Sequence, residues 1–354
     1  MIVDAPSEDR FHDLQAPGSY EWSYFDGLAD DGETGFVAIW FRGCPMSPYY
    51  GAAIGRGSRR PERAPLPADH CAFSISLYRR GRRLFSILEE GPGREFVHRD
   101  ADVRYGTNAV RSDTAANGMR CHIINVDAAL ALGRARLVGD IEINALPSER
   151  IAGPGGRVMI QERGGHFWVP ASLDGRFTAR LDLWRAGRGM QKLRFSGRAY
   201  HDRNAGSEPL SALGADWHWG RLHAGDRTFV WFQVRRDDAA SPSFGRLLLL
   251  ERGAPIAGAD AWRLGEPAPK AHWSTLPRPR SIRGVAHDGR LAFNAVPRFV
   301  VDSGPFYHRM IARIVVEHDG AFFEGDGITE YLRPSRLAVA AFRPFVKFRV
   351  RRRK

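Results

Sequence analysis

The stretch CAFSISLYRRGRRLFSILEE (Cys71–Glu90) alternates apolar and polar residues on either side of a basic turn that contains Gly81. Cys71, Phe73, Ile75 and Leu77 fall on one face at a spacing of two, the period of a strand rather than of a helix. The stretch predicts two strands of a hairpin. RFTARLDLW (Arg176–Trp184) repeats the pattern with Phe177, Ala179, Leu181 and Leu183. RTFVWFQVRR (Arg227–Arg236), GRLLLLERG (Gly245–Gly253) and RMIARIVVEHDG (Arg309–Gly320) are further short apolar runs closed by turn residues. Helical periodicity is scarce, and DAALALGRAR (Asp127–Arg136) is its best candidate. The chain therefore reads as all-β, a sandwich or a barrel of many short strands.

An internal echo places a boundary. EWSYFDGLADDGETGFVAIWFR (Glu21–Arg42) carries Trp22-x-Tyr24, a glycine-containing turn, then Phe36-Val37 and Trp40-Phe41. DWHWGRLHAGDRTFVWFQVR (Asp216–Arg235) carries Trp217-x-Trp219, a glycine-containing turn, then Phe229-Val230 and Trp231-Phe232. Two opening hairpins of this kind predict two related β domains, residues 18–206 and 207–354. The polar stretch YHDRNAG (Tyr200–Gly206) then falls at their junction, where ligand sites tend to form.

Bulk properties exclude several classes. No apolar run approaches the roughly 20 residues that a spanning helix needs. The N-terminus, MIVDAPSEDRFHD, is acidic and lacks an apolar signal core, so a cytoplasmic protein is expected. Cys44, Cys71 and Cys121 are widely spaced and odd in number, which fits buried thiols and not a disulfide framework or a zinc ribbon. The 12 histidines form no His-x-His or His-Glu-x-x-His pair, so no metal site is expected. Phosphate-binding loops and a Gly-x-Ser-x-Gly elbow are also missing. The net charge of +12 favours anionic surfaces, but no nucleic-acid-binding motif accompanies it. In the terminal FRPFVKFRVRRRK (Phe342–Lys354), Val346, Phe348 and Val350 alternate with Lys347, Arg349 and Arg351. That pattern reads as an edge strand blunted by charge. Peripheral contact with an anionic inner-membrane surface is the other reading.

In YHDRN, His201 and Asp202 offer acid–base groups, Arg203 a charge partner and Asn204 a donor and acceptor. In a strand His201 and Arg203 face one way, Asp202 and Asn204 the other. All four line one cavity only if the backbone turns, which Gly206 permits. A polar turn that satisfies its own backbone is the alternative.

Five segments in order carry a resemblance: GSYEWSYFDGLADDGETGFVAIWFRG (Gly18–Gly43), MSPYY (Met46–Tyr50), YHDRNAG, DWHWGR (Asp216–Arg221) and VDSGPFYHR (Val301–Arg309). From about Gly18 to near the C-terminus the chain resembles the carotenoid 1,2-hydratases, or hydroxyneurosporene synthases, which belong with two-domain lipocalin-like proteins. The resemblance implies two consecutive lipocalin-like antiparallel β-barrel or sandwich domains with few short helices. It also implies addition of water to the terminal double bond of an acyclic carotenoid or related isoprenoid, with no cofactor.

The departures fall in the motifs themselves. Ser23 replaces a Trp of the opening motif. Arg203 and Ala205 replace the His and Trp of the family's Tyr-His-Asp-His-Asn-Trp-Gly, and Trp231 and Gln233 fall where the family has a catalytic Tyr and Asp. Arg203 stays charged and cannot serve as an acid.

Hydration needs a proton donor kept neutral by burial, aromatic faces for a tertiary cation, and one positioned water. Asp202, His201 and Asp26 are the candidate catalytic residues. Trp22, Tyr24, Arg203, Asn204, Trp219, Trp231 and Gln233 are the candidate substrate contacts. A cyclase that shapes a polyene in the same cavity and a non-catalytic lipid carrier are the rivals, and a long apolar polyene is the expected partner of all three.

Overall fold

The computed structural model describes residues 9–146, 166–214, 216–235, 244–259, 262–264, 276–345 and 350–352. These fall into two compact units, one built on the chain up to Arg79 together with Arg83–Leu210 and the last strand, the other on the chain from Ser211 onward.

The first unit holds β1 (Tyr20–Ala29), β2 (Thr34–Arg42), β3 (Cys71–Arg79), β4 (Arg82–Gly91), β5 (Phe96–Arg99), β6 (Asp102–Tyr105), β7 (Asn108–Thr114), β8 (Arg120–Ala129) and β9 (Ala135–Ala145). Two long strands, β10 (His166–Arg185) and β11 (Gly189–Gly206), complete it. The second unit holds β12 (Asp216–Ala224), β13 (Arg227–Arg235), β14 (Phe244–Glu251), β15 (Ala254–Ala259) and β16 (Trp262–Leu264). It continues with β17 (Ile282–Ala286), β18 (Leu291–Ser303), β19 (Tyr307–His318) and β20 (Ala321–Leu332). A last strand, β21 (Val350–Arg352), pairs in parallel with β4 at the edge of the first sheet. The chain's end therefore extends the first sheet, whereas the division at 207 assigns it to the second. Residues 346–349, which carry part of the basic alternation, lie outside the described residues.

Each sheet curls around its own apolar core as a lipocalin-like half-barrel. In the first unit that core includes Phe25, Phe36, Trp40, Phe73, Ile75, Leu77, Ile141 and Phe177, and it takes in every apolar position read from the Cys71–Glu90 hairpin. In the second it includes Leu222, Phe229, Trp231, Leu247, Phe293 and Ile314. The echo between the opening hairpins has a topological counterpart. β1 lies between β2 and β11, the second and last long strands of its unit, and β12 lies between β13 and β20 in the same way. Each opening strand also pairs a glycine with an aromatic residue, Gly27 with Phe36 and Gly220 with Trp231.

One local expectation is corrected. Asp127–Arg136 is not a helix: β8 ends at Ala129, Ala131–Gly133 makes a single 3-10 turn, and β9 starts at Ala135. Its alanines and leucines belong to a hairpin whose alternate residues Val126, Ala128, Ala135 and Leu137 are core. The α-helix among the described residues is instead α1 (Pro48–Gly57), opened by Ser47, whose side chain accepts from the Tyr49 and Tyr50 N–H groups, with Pro48 in the first turn. Cys44 and Cys71 are buried free thiols, and Cys121 is free and half-buried.

A Cβ at Gly220 would stand 2.1 Å from Cζ2 of Trp231. Gly220→Ala should therefore displace the indole from the second core and cost on the order of 1–3 kcal/mol, read as a lower urea midpoint. An unchanged midpoint would contradict this packing.

Candidate active site

The second half of β11 is buried on both faces: Tyr200, His201, Asp202, Arg203 and Asn204 are all inaccessible. The strand runs straight to Gly206, which pairs with Tyr20, so the backbone does not turn at the motif. His201 and Arg203 face the first core, as Ala199 does, and Asp202 and Asn204 face away from it with Tyr200. The motif is a strand with two chemically different sides.

On the side away from the core, Asp202 Oδ2 accepts from Tyr200 O–H at 2.6 Å and from Trp168 Nε1–H at 2.8 Å. Asn204 Nδ2 donates to Oδ1 at 3.0 Å. Antiparallel pairing places Tyr24 beside Asp202, Trp22 beside Asn204 and Asp26 beside Tyr200, so these β1 residues share the face. Trp168 reaches it from β10, opposite Asn204. Tyr24 meets Tyr200 edge-on, and Trp22 stacks on Tyr20 at 5.3 Å. Tyr20 Oη in turn meets His166 Nδ1 at 2.8 Å. Burial pushes His166 down to about 3, with Asn204 beside it opposing the shift, so the ring is neutral. Burial and the charge of Glu208 push the Tyr20 phenol well up, which keeps it a donor. Asp26 is fully buried on this face.

On the core side, His201 stacks on Phe25 with centroids 3.9 Å apart. Its Nδ1 meets the Tyr24 carbonyl oxygen at 2.9 Å and its Nε2 meets Asp9 Oδ1 at 3.0 Å. Each ring nitrogen therefore faces an acceptor oxygen. Arg203 Nε donates to Asp9 Oδ1 at 2.6 Å and Arg120 Nη2 to Asp9 Oδ2 at 2.7 Å. Burial alone would raise Asp9, but His201, Arg203 and Arg120 outweigh it and hold the carboxyl well below the usual carboxylate range. His122, edge-on to His201, is pushed well down by burial and by the His201 charge.

In the second unit, Trp231 and Gln233 lie on the core side of β13, opposite Gly220 and His218 of β12, and Trp219 lies on the other face. His218 stacks on Tyr331 at 4.7 Å and is pushed down to about 3 by burial. Tyr331 O–H and Arg333 Nε donate to Asp216 Oδ1 at 2.8 and 3.0 Å, and Arg235 also pairs with Asp216.

The fold thus gathers Asp202, Asn204, Trp22, Tyr24 and Asp26 on one face, and sets His201 and Arg203 on the reverse of the same strand. Sequence reasoning missed Trp168, Tyr200, His166, Asp9 and Arg120 as members of these clusters. Tyr200 had a signal, since it precedes Asp202 by two and must share its face. Asp9 had none, because it lies in an acidic N-terminal segment outside any strand. Among the described residues no cluster of His, Cys, Asp or Glu has the arrangement to hold a metal ion. No helix among them is long and apolar enough to cross a membrane.

Fold and site together define a two-unit lipocalin-like protein with a buried polar cluster on each face of one strand. The sequence model of the carotenoid hydratase family CrtC matches residues 38–354, and the chain belongs to that family. A Chlorobaculum tepidum protein named hydroxyneurosporene dehydrogenase is 26% identical over 97% of this chain and 90% of its own length. The acyclic carotenoid 1,2-hydratase of Rubrivivax gelatinosus is 26% identical over 86% of this chain and 67% of its own. Among solved structures, kievitone hydratase from Nectria haematococca has the same fold, with a TM-score of 0.57 at 13% identity over 94% of this chain and 93% of that one.

The depressed histidines fix the sign of a pH effect. Below about pH 6.5 an unfolded histidine takes up a proton that His166 and His218 refuse until about pH 3. The unfolded chain then binds more protons, so stability is complete above pH 6.5 and falls as pH is lowered through that window. The thermal midpoint should drop between about pH 7 and about pH 5, and His166→Asn should flatten the drop. A midpoint constant across the window would contradict the burial of both rings.

Proposed function

We propose that the chain is a cofactor-independent hydratase that adds water to the terminal double bond of an acyclic carotenoid or related isoprenoid, with Asp202 moving the proton. The observation that carries this reading is a buried carboxyl that meets three donors and is flanked by Trp22, Tyr24, Trp168 and Tyr200. Membership of the carotenoid hydratase family supports the substrate class.

The reaction needs a carboxyl that works in both protonation states. Burial favours the neutral acid, whereas the Tyr200, Trp168 and Asn204 donors favour the ionised form, and the two effects oppose each other at Asp202. Protonated Asp202 gives its proton to the less substituted alkene carbon. The tertiary cation that forms on the other carbon lies among aromatic faces, each able to contribute up to about 2 kcal/mol in a dry site. A water oxygen bonds to the cation, and its surplus proton returns to the Asp202 carboxylate, which restores the acid. Asn204 can follow the change, since a half-turn of its amide replaces the donor at Asp202 Oδ1 with an acceptor. Asp26 on the same face, and His201 behind it, remain the alternative acids.

Incubation with an acyclic carotene in heavy-oxygen water should give a tertiary alcohol that carries the label. Asp202→Asn should reduce product by roughly 100-fold or more and leave retention of the carotene intact. An unlabelled isomer of equal mass would replace hydration by cyclisation, and unchanged carotene that stays bound would replace it by carriage. Full activity in Asp202→Asn would move the acid to Asp26.

A further inference from the structure

The hydration chemistry leaves the core side of β11 unexplained. Two guanidiniums, Arg203 and Arg120, and the His201 ring converge on one carboxylate, Asp9. Exposure of the four side chains is only 2%, 13%, 1% and 0%, so solvent does little to screen the surplus positive charge. The second acid facing this side of β1, Glu21, offers no relief, because His12 engages both its oxygens, the N–H at 2.7 Å and Nδ1 at 2.8 Å.

Arg203 is the informative member. Its Nε is committed to Asp9, while Nη1 and Nη2 are buried and meet no acceptor. Arg120 Nε is likewise buried without one. A guanidinium fork held rigid at Nε by a carboxylate and left open at both Nη atoms has the geometry that grips a second carboxylate through two parallel hydrogen bonds. Around it the core packing is apolar: the Phe11 ring lies 4.5 Å from Arg203 Cζ and packs edge-on against Phe96, and Phe25 covers His201. A ligand that satisfies the fork therefore ends in a carboxylate and is otherwise a hydrocarbon.

We propose that the core of the first unit is a binding site for an apolar carboxylic acid, such as a fatty or isoprenoid acid, with its carboxylate on Nη1 and Nη2 of Arg203 and its chain against Phe11, Phe25 and Phe96. This goes beyond the hydration reading, since an acyclic carotene has no carboxylate. Asp9 is a positioning residue that holds Nε and so aims the fork.

Fluorescence titration of the full chain with cis-parinaric acid and with its methyl ester tests the site. The acid should bind about 10- to 100-fold more tightly than the ester, the range of a charge-assisted pair. Arg203→Lys keeps the charge and loses the fork, so it should remove most of that preference while leaving ester affinity unchanged. If Arg203→Lys does not fold, Phe11→Ala should weaken both probes together and keep the acid-to-ester ratio. Equal affinity of the wild-type chain for acid and ester, no binding of either, or an undiminished preference in Arg203→Lys would overturn the proposal.

Discussion

Strand β11 is buried on both sides where it pairs with β1, and that single constraint organises the rest of the first unit. A strand presents successive side chains to opposite faces, so five polar or aromatic residues in a row must be satisfied by two separate environments. The core side answers with ions: Asp9 and the Tyr24 carbonyl saturate both nitrogens of His201, and Phe25 lies flat against its ring. The other side answers with neutral donors around Asp202. Each group pays for its neighbour's burial only if the β1–β11 register is kept, because a slip of one residue would exchange the two faces.

The same constraint explains why the departures from the family pattern are physically coherent. Arg203 stands on the core side, where a guanidinium has a carboxylate to meet in Asp9 and an aromatic ring to lie against in Phe11. It cannot move a proton there, yet it completes an ion cluster that would otherwise lack its strongest donor. Asp202, Asn204 and Tyr200, which the chain shares with the family motif, all stand on the opposite face. The hydrogen-bonded Asp202 carboxyl and the Asp9 ion cluster are in this way kept apart by the thickness of one sheet.

Much of the fold was legible in the sequence because alternation is a local property. The Cys71–Glu90 hairpin and the Arg176–Trp184 strand follow from residue spacing alone, and so does the split of YHDRN between two faces. Asp127–Arg136 misled because alanine and leucine favour helices, while tertiary pairing of β8 with β9 overrode that weak preference. The helix at Pro48–Gly57 was hidden by glycines, and its signal was the Ser47-Pro48 start. Of the site, the members on β1 and β11 were readable, since they share motifs. Trp168, His166, Arg120 and Asp9 come from distant segments, and no spacing rule connects Asp9 to Arg203 across 194 positions.

The proposed hydration requires the reacting end of the substrate to meet the Asp202 face of β11 and not its reverse. A crystal structure of the chain with a bound acyclic carotene tests it most directly. The terminal double bond is expected within about 4 Å of the Asp202 carboxyl, in contact with Trp168 and Tyr200. A terminus lodged instead beside Asp9 and His201, with the Asp202 side empty of ligand, would contradict it.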